Sequence, residues 1–101
     1  DIERMRQAYQ RRRDFFISGL NAIDGVEASN PDGAFYAWVK FDGFQDSDAI
    51  ADFLLENAHV ASVSGKAFSP SDTNHVRFSF AASDEELEKA VSRIKQAIEN
   101  R

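Results

Sequence analysis

The stretch His75-Val76-Arg77-Phe78-Ser79-Phe80-Ala81-Ala82-Ser83 combines the pattern of a strand with a single arginine. Successive side chains of a strand alternate between its two faces, so one face carries Val76, Phe78 and Phe80. The other face carries His75, Arg77, Ser79 and Ala81. The first face is predicted to lie in a core. The second would hold a guanidinium on a rigid element beside a hydroxyl and an imidazole, which suits bidentate recognition of a carboxylate or phosphate.

Periodicity alone favours a simpler interpretation of this stretch. An antiparallel strand that covers a core on one side and meets water on the other shows the same alternation. On that interpretation Arg77 is a solvated surface residue without a ligand.

Three motifs, in order, resemble a known family. Residues 60–69 read VASVSGKAFS and residues 75–81 read HVRFSFA. They are similar to the end of class I/II (fold-type I) pyridoxal-phosphate aminotransferases, where V-x-x-x-P-G-x-x-F-G precedes V-R-[IL]-S-F-A. Upstream, residues 31–36 read PDGAFY and resemble the P-x-G-A-F-Y segment of the same enzymes. The resemblance spans essentially the whole chain, with Ser64 in place of the usual proline and Ser69 in place of the usual glycine.

The resemblance implies a role for two residues. Arg77 matches the arginine that binds the α-carboxylate of the substrate, and Phe35 aligns with a residue that lines the substrate side of the cleft. A plain core aromatic is an equally good interpretation of Phe35. Residues 1–101 would be the small C-terminal domain of the parent enzyme, which transfers an amino group between an amino acid and a 2-oxo acid. The parent is expected to be a homodimer, and, because the sequence contains no cysteine to indicate a compartment, the cytoplasm is the default expectation.

Cofactor chemistry is expected to lie elsewhere in that parent. An aminotransferase needs a Schiff-base lysine and a phosphate cradle, but Lys40, Lys66, Lys89 and Lys95 lie outside apolar runs that would lower a lysine pKa. The sequence has no glycine-rich phosphate motif. We therefore expect pyridoxal phosphate in the parent, held by a large domain before Asp1, and no cofactor-binding or catalytic residue in this chain alone.

Composition excludes several classes of function. The 101 residues include no cysteine, which excludes a disulfide framework and a thiolate metal site. A formal net charge of −5 disfavours nucleic acid and anionic membranes as partners.

The five arginines of the first helix do not form one basic stripe, which favours a solvated surface. Two histidines without convergent carboxylates give a metal site little support; His75 is expected to be exposed or water-bonded, and His59 to end a helix.

The pattern along the chain predicts an α+β fold in the order α-β-β-α-β-β-α, an open and mainly antiparallel sheet with helices packed mostly on one face. The predicted helices begin at Ile2, at Asp48 after a Ser47 cap, and after the Ser83 capping box. The predicted strands cover 26–28, 34–41, 60–63 and the stretch from His75. Residues 30–33 are predicted to form the turn of a hairpin, and 64–74 a functional loop.

Two functions from different classes fit this sequence. One is the substrate-closing domain of an aminotransferase, in which Arg77 faces a cleft that this chain only half forms. The other is an independent α+β interaction or small-ligand-binding module whose polar sheet face is complete by itself. A chain that starts at Asp1, already in helical phase, favours a domain excised from a longer protein.

Overall fold

Three helices and four strands build the fold in the predicted order. The structure is a computed structural model that describes residues 1–31 and 33–101. The elements are α1 (Ile2–Asn21), β1 (Val26–Ser29), β2 (Tyr36–Phe41), α2 (Ser47–Phe53), β3 (Val63–Ser64), β4 (His75–Ser79) and α3 (Asp84–Glu99).

The strands form one sheet in the order β1-β2-β4-β3, and every neighbouring pair is antiparallel. Strand β2 is therefore central, as its two partly apolar faces suggest. Alternate residues of β2 and β4 enter the same core as the buried side chains of the three helices. The predicted α+β architecture, an antiparallel sheet with helices on one face, is confirmed. The turn predicted between β1 and β2 includes Asp32, which lies outside the described residues.

Helix α1 buries only part of its apolar stripe, which consists of Ile2, Met5, Tyr9, Phe16 and Leu20. Asp1 caps the helix by accepting a hydrogen bond from the N–H of Arg4. Phe16 and Leu20 are buried in the core, but Ile2 is 85% exposed and Met5 is 70% exposed. The apolar stripe of α1 therefore continues onto the surface in its first turns.

The start of helix α2 differs from the prediction. Asp46, rather than Ser47, is the N-cap, and its carboxylate accepts from the N–H of Ala49 at 2.9 Å. The helix widens into a π-helical turn over Leu54–Ala58 and ends at His59, whose φ of 56° is left-handed. The predicted position of His59 at a helix end is confirmed.

All four strands differ from their predicted bounds: β1 ends one residue later, at Ser29, and β2 begins two residues later, at Tyr36. The strand predicted at 60–63 is Val63–Ser64, because only these residues pair with β4, opposite Arg77 and Val76. Strand β4 stops at Ser79, before the predicted continuation to Ala81. The segment predicted as a loop from Ser64 also contains a short 3-10 turn at Gly65–Ala67.

Helix α3 follows its local signals closely. The Ser83 hydroxyl accepts from the N–H of Glu86, and the Glu86 carboxylate accepts from the N–H of Ser83, which completes the predicted capping box. Leu87 and Ile94 are buried. In the part of the chain that the structure describes, no helix is both long and apolar enough to cross a membrane.

Candidate functional site

The helix-free face of the sheet carries the predicted arginine. In the register between β2 and β4, Arg77 lies opposite Trp38, and Tyr36 lies opposite Ser79. Along β4, Arg77 and Ser79 alternate with Val76 and Phe78, which are buried in the core. The alternation predicted from the sequence therefore places Arg77 on the open face, on one of the two inner strands of the sheet.

Two aromatic rings hold the guanidinium of Arg77. Its Cζ atom lies 4.0 Å from the centre of the Tyr36 ring and 4.4 Å from the centre of the Phe68 ring. Both contacts fall within the range of a cation–π interaction. Arg77, Tyr36, Trp38 and Pro31 line an open depression of about 240 Å³.

The charge of Arg77 is not neutralised by an ion pair within residues 1–31 and 33–101, where no carboxylate oxygen lies within 4.0 Å of it. A guanidinium presents its N–H donors in one plane and binds carboxylates through two parallel hydrogen bonds. This depression can therefore offer a bidentate anion contact beside aromatic walls.

Phe35 lies on the other side of the sheet. Its ring meets Tyr9 edge-on at 4.8 Å and lies 5.7 Å from Phe80, with 42% of the residue exposed. It borders a groove of about 680 Å³ whose walls include Ile2 and Met5. The structure thus places Phe35 and Arg77 in different depressions, and Tyr36 borders both.

Asp72 organises the loop beside Arg77, a role that sequence analysis missed. Its Oδ1 accepts hydrogen bonds from the Ser47 hydroxyl at 2.7 Å, the His75 N–H at 2.8 Å and the Asn74 N–H at 3.1 Å. Burial opposes ionisation of this carboxyl, but the hydrogen bonds outweigh burial and lower the pKa of Asp72. The bond to Asn74, two residues on, is an Asx turn that the sequence could have suggested. The bond to Ser47 spans 25 residues and leaves no local signal.

His75 is not the exposed, water-bonded side chain that was predicted. Its Nδ1 lies 2.9 Å from Oδ2 of Asp72, and its ring stacks on Trp38 with centres 4.9 Å apart and planes 13° apart. The prediction was wrong because Trp38 lies on another strand and because the contact with Asp72, three residues earlier, depends on how the loop folds. His75 therefore connects the anchored loop to the aromatic wall beside Arg77.

Lys66 is a poor candidate for imine formation. Its Nζ lies 2.9 Å from Asp46 and 3.6 Å from Asp48, and the hydrogen bond to Asp46 raises the pKa of Lys66. A lysine that attacks a carbonyl must be unprotonated, so these carboxylates oppose that chemistry. Lys40 and Lys89 also lie within 4.0 Å of carboxylates, and Lys95 is exposed to solvent on α3. The described lysines therefore do not fit the binding of an aldehyde cofactor.

Ser64, which stands in place of the motif's proline, has a backbone angle that proline could also adopt. The φ of Ser64 is −55°, within the range that proline adopts. A Cβ atom on Gly65 would lie 2.7 Å from both Oδ1 of Asp72 and the carbonyl oxygen of His75. Only glycine allows this close approach.

Comparison with known proteins identifies relatives of the whole chain. The family model described as aminotransferase class I and II matches residues 1–94. An aspartate aminotransferase of Rhizobium meliloti is 42% identical over 103 residues, covering 90% of this chain and 24% of its own length. An aspartate aminotransferase of Pyrococcus horikoshii is 34% identical, with 97% of this chain and 25% of its own length covered. The chain thus spans about a quarter of the length of these curated relatives.

Solved structures of similar proteins share the fold. An alanine aminotransferase from Pyrococcus furiosus superposes with a TM-score of 0.90 at 30% identity, covering 98% of this chain and 26% of that one. An aromatic aminotransferase from Pyrococcus horikoshii gives 0.89 at 34% identity, with 99% and 27% covered.

Proposed function

The chain belongs to the class I and II aminotransferase family, and from that premise we propose that it is the small C-terminal domain of a pyridoxal-phosphate-dependent aminotransferase. In this proposal the domain binds the carboxylate of the amino acid or 2-oxo acid through Arg77. Phe35 remains a predicted second contact on the substrate side.

The observation that carries the proposal is the environment of the Arg77 guanidinium. It stands on an inner strand, between two rings, beside an open depression. A guanidinium held on a rigid strand orients the carboxylate that it binds. Correct orientation of the amino group attached to that carboxylate lowers the entropic part of the activation barrier for amino transfer. When bound in the parent enzyme, pyridoxal phosphate supplies the aldehyde and the electron sink for amino transfer. The described residues of this chain do not fit that cofactor, so the proposal assigns it to another part of the parent.

Exposed apolar surface supports a partner domain. Ile2 and Met5 continue the apolar stripe of α1 past the core, and with Phe35 and Tyr36 they border the 680 Å³ groove. Apolar patches of this kind mark contact surfaces on folded proteins. We assign the patch to the large cofactor-binding domain of the parent. The proposal also includes a cytoplasmic, homodimeric parent. Sedimentation of the full-length protein would test its oligomeric state, and cell fractionation its location.

The proposed carboxylate contact is tested by ligand affinity in the full-length protein. The names of the curated relatives make L-aspartate the first ligand to measure, by the change in cofactor absorbance on titration. Arg77→Ala should weaken binding by about 30-fold or more, since a lost charge-assisted pair costs at least about 2 kcal/mol. Arg77→Lys should recover part of the affinity, because an ammonium lacks the planar fork.

The matched control is Arg93→Ala, on the exposed surface of α3, which should leave the affinity unchanged. Equal affinity of wild type and Arg77→Ala would contradict the proposal. Equally tight binding by the 101-residue chain alone would favour the independent ligand-binding module.

A further inference from the structure

We propose that Phe68 is a positioning residue for substrate binding: together with Tyr36 it holds the guanidinium of Arg77 in the orientation that receives a carboxylate. This inference rests on the proposed function of Arg77 and goes beyond it. Phe68 itself need not touch the substrate.

The first step is the placement of the two rings. Tyr36 comes from β2, on one side of β4, and Phe68 follows the 3-10 turn after β3, on the other side. Their centres lie 4.0 Å and 4.4 Å from Cζ of Arg77. Rings that contact a guanidinium through its flat surface leave the N–H groups at its edge free for a ligand.

The second step is that Phe68 is itself held in place. The Trp38 ring meets it edge-on with centres 6.1 Å apart, and Trp38 stacks on His75. The N–H of Phe68 donates to the carbonyl of Gly65 at 3.0 Å. Hydrogen bonds of Asp72 with Asn74 and His75 fix the loop between Phe68 and His75. A ring that is 49% exposed therefore has a defined position without belonging to the core.

The third step is the energetic consequence for Arg77. An arginine side chain has several rotatable bonds, and fixing them on ligand binding costs conformational entropy. Rings that restrict the guanidinium beforehand reduce that cost, which is the effect of preorganisation on affinity. Removing the Phe68 ring should therefore weaken carboxylate binding although Arg77 and its charge remain.

The experiment is steady-state kinetics of the full-length protein with L-aspartate and 2-oxoglutarate. Phe68→Leu keeps an apolar side chain but removes the ring, and should raise the KM for both substrates about 2- to 10-fold, the range expected from one cation–π contact. The kcat should change less than KM. Phe68→Tyr keeps the ring and should restore the wild-type KM. The matched control is Phe15→Leu, an exposed aromatic on α1, which should leave both parameters unchanged.

A double-mutant cycle decides whether Phe68 acts through Arg77. In an Arg77→Ala background, Phe68→Leu should have no further effect, because its partner is gone. Additive effects, or a Phe68→Leu variant that behaves like the Phe15→Leu control, would overturn the inference and leave the proposed function standing. If Arg77→Ala alone leaves KM unchanged, the proposed function fails instead.

Discussion

The two sides of strand β4 differ in what packs on them. Val76 and Phe78 are buried against the helices, and Phe78 meets the rings of Phe16 and Phe41 at 5.9 Å and 6.4 Å. Arg77, between them in sequence, contacts rings from β2 and from a loop and faces an open depression. If the proposed function holds, one strand divides stability and ligand contact between alternate residues. Substitutions on the core side should then lower stability, and substitutions of Arg77 should lower activity.

The largest loss of stability is expected on the core side. Phe78→Ala removes a buried ring and leaves a cavity, which should cost about 3–5 kcal/mol. Small domains have total stabilities that begin near about 5 kcal/mol, so the 101-residue chain should lose its cooperative urea transition. The neighbouring exposed substitution Ser79→Ala is the control and should cost less than about 1 kcal/mol. Equal midpoints for the two variants would contradict a core role for Phe78.

A smaller loss is expected where the loop approaches the sheet. Gly65→Ala would place Cβ at 2.7 Å from an oxygen of Asp72 and from the carbonyl of His75, so atoms must shift at a cost of about 1–3 kcal/mol. Gly33→Ala is a useful comparison, since its φ of +70° strains the backbone but no atom lies within 4 Å of the added carbon. Thermal melting should show the larger shift for Gly65→Ala. If Gly65→Ala lowered the melting temperature less than Gly33→Ala does, the loop would accommodate the added carbon at little cost, which would contradict this prediction.

Asp72 should give the loop a dependence on pH. Its pKa is lower in the folded protein than in the unfolded chain, so the stabilisation is present above the ordinary aspartate pKa and is lost as the pH falls below about 4. Asp72→Asn should cost about 1–3 kcal/mol at neutral pH, because buried donors lose a charged acceptor.

The measurement is the difference in melting temperature between wild type and Asp72→Asn, followed from pH 7 to pH 3. That difference should shrink as the pH falls, since wild type loses the carboxylate that the variant never had. Subtracting the two curves removes the contribution of other carboxylates, including Asp46 and Asp84, whose pKa values are also lowered, largely by hydrogen bonds from Lys66 and Arg12. A constant difference would show that the Asp72 charge does not stabilise the fold.

Local signals explain which elements were predictable from sequence. Helix α3 could be predicted because its cap, Ser83 with Glu86, and its apolar stripe lie within one segment. The face of Arg77 could be predicted because alternation along a strand is also local. Resemblance to a family suggested a ligand-binding role for Arg77 that periodicity could not.

Long-range partners explain the predictions that were wrong. Asp46 and Ser47 are both residue types that cap helices well. In the structure Asp46 is the cap, and the Ser47 hydroxyl instead bonds to Asp72, 25 residues away. The stacking of His75 on Trp38 was missed for the same reason, since Trp38 lies on another strand, whereas its contact with Asp72 spans only three residues and depends on the loop conformation. The rings around Arg77 likewise meet only when the sheet has formed.

The smallest stability effect and the largest kinetic effect should occur together at Arg77, and measuring both in one full-length variant tests the central claim directly. Arg77→Ala should change the free energy of unfolding by about 1 kcal/mol or less, the scale of its exposed cation–π contacts. The same variant should lower kcat/KM for L-aspartate by about 30-fold or more. A large fall in stability with unchanged kcat/KM would contradict the account, because Arg77 would then be a structural residue and the open face of β4 would not be the carboxylate site.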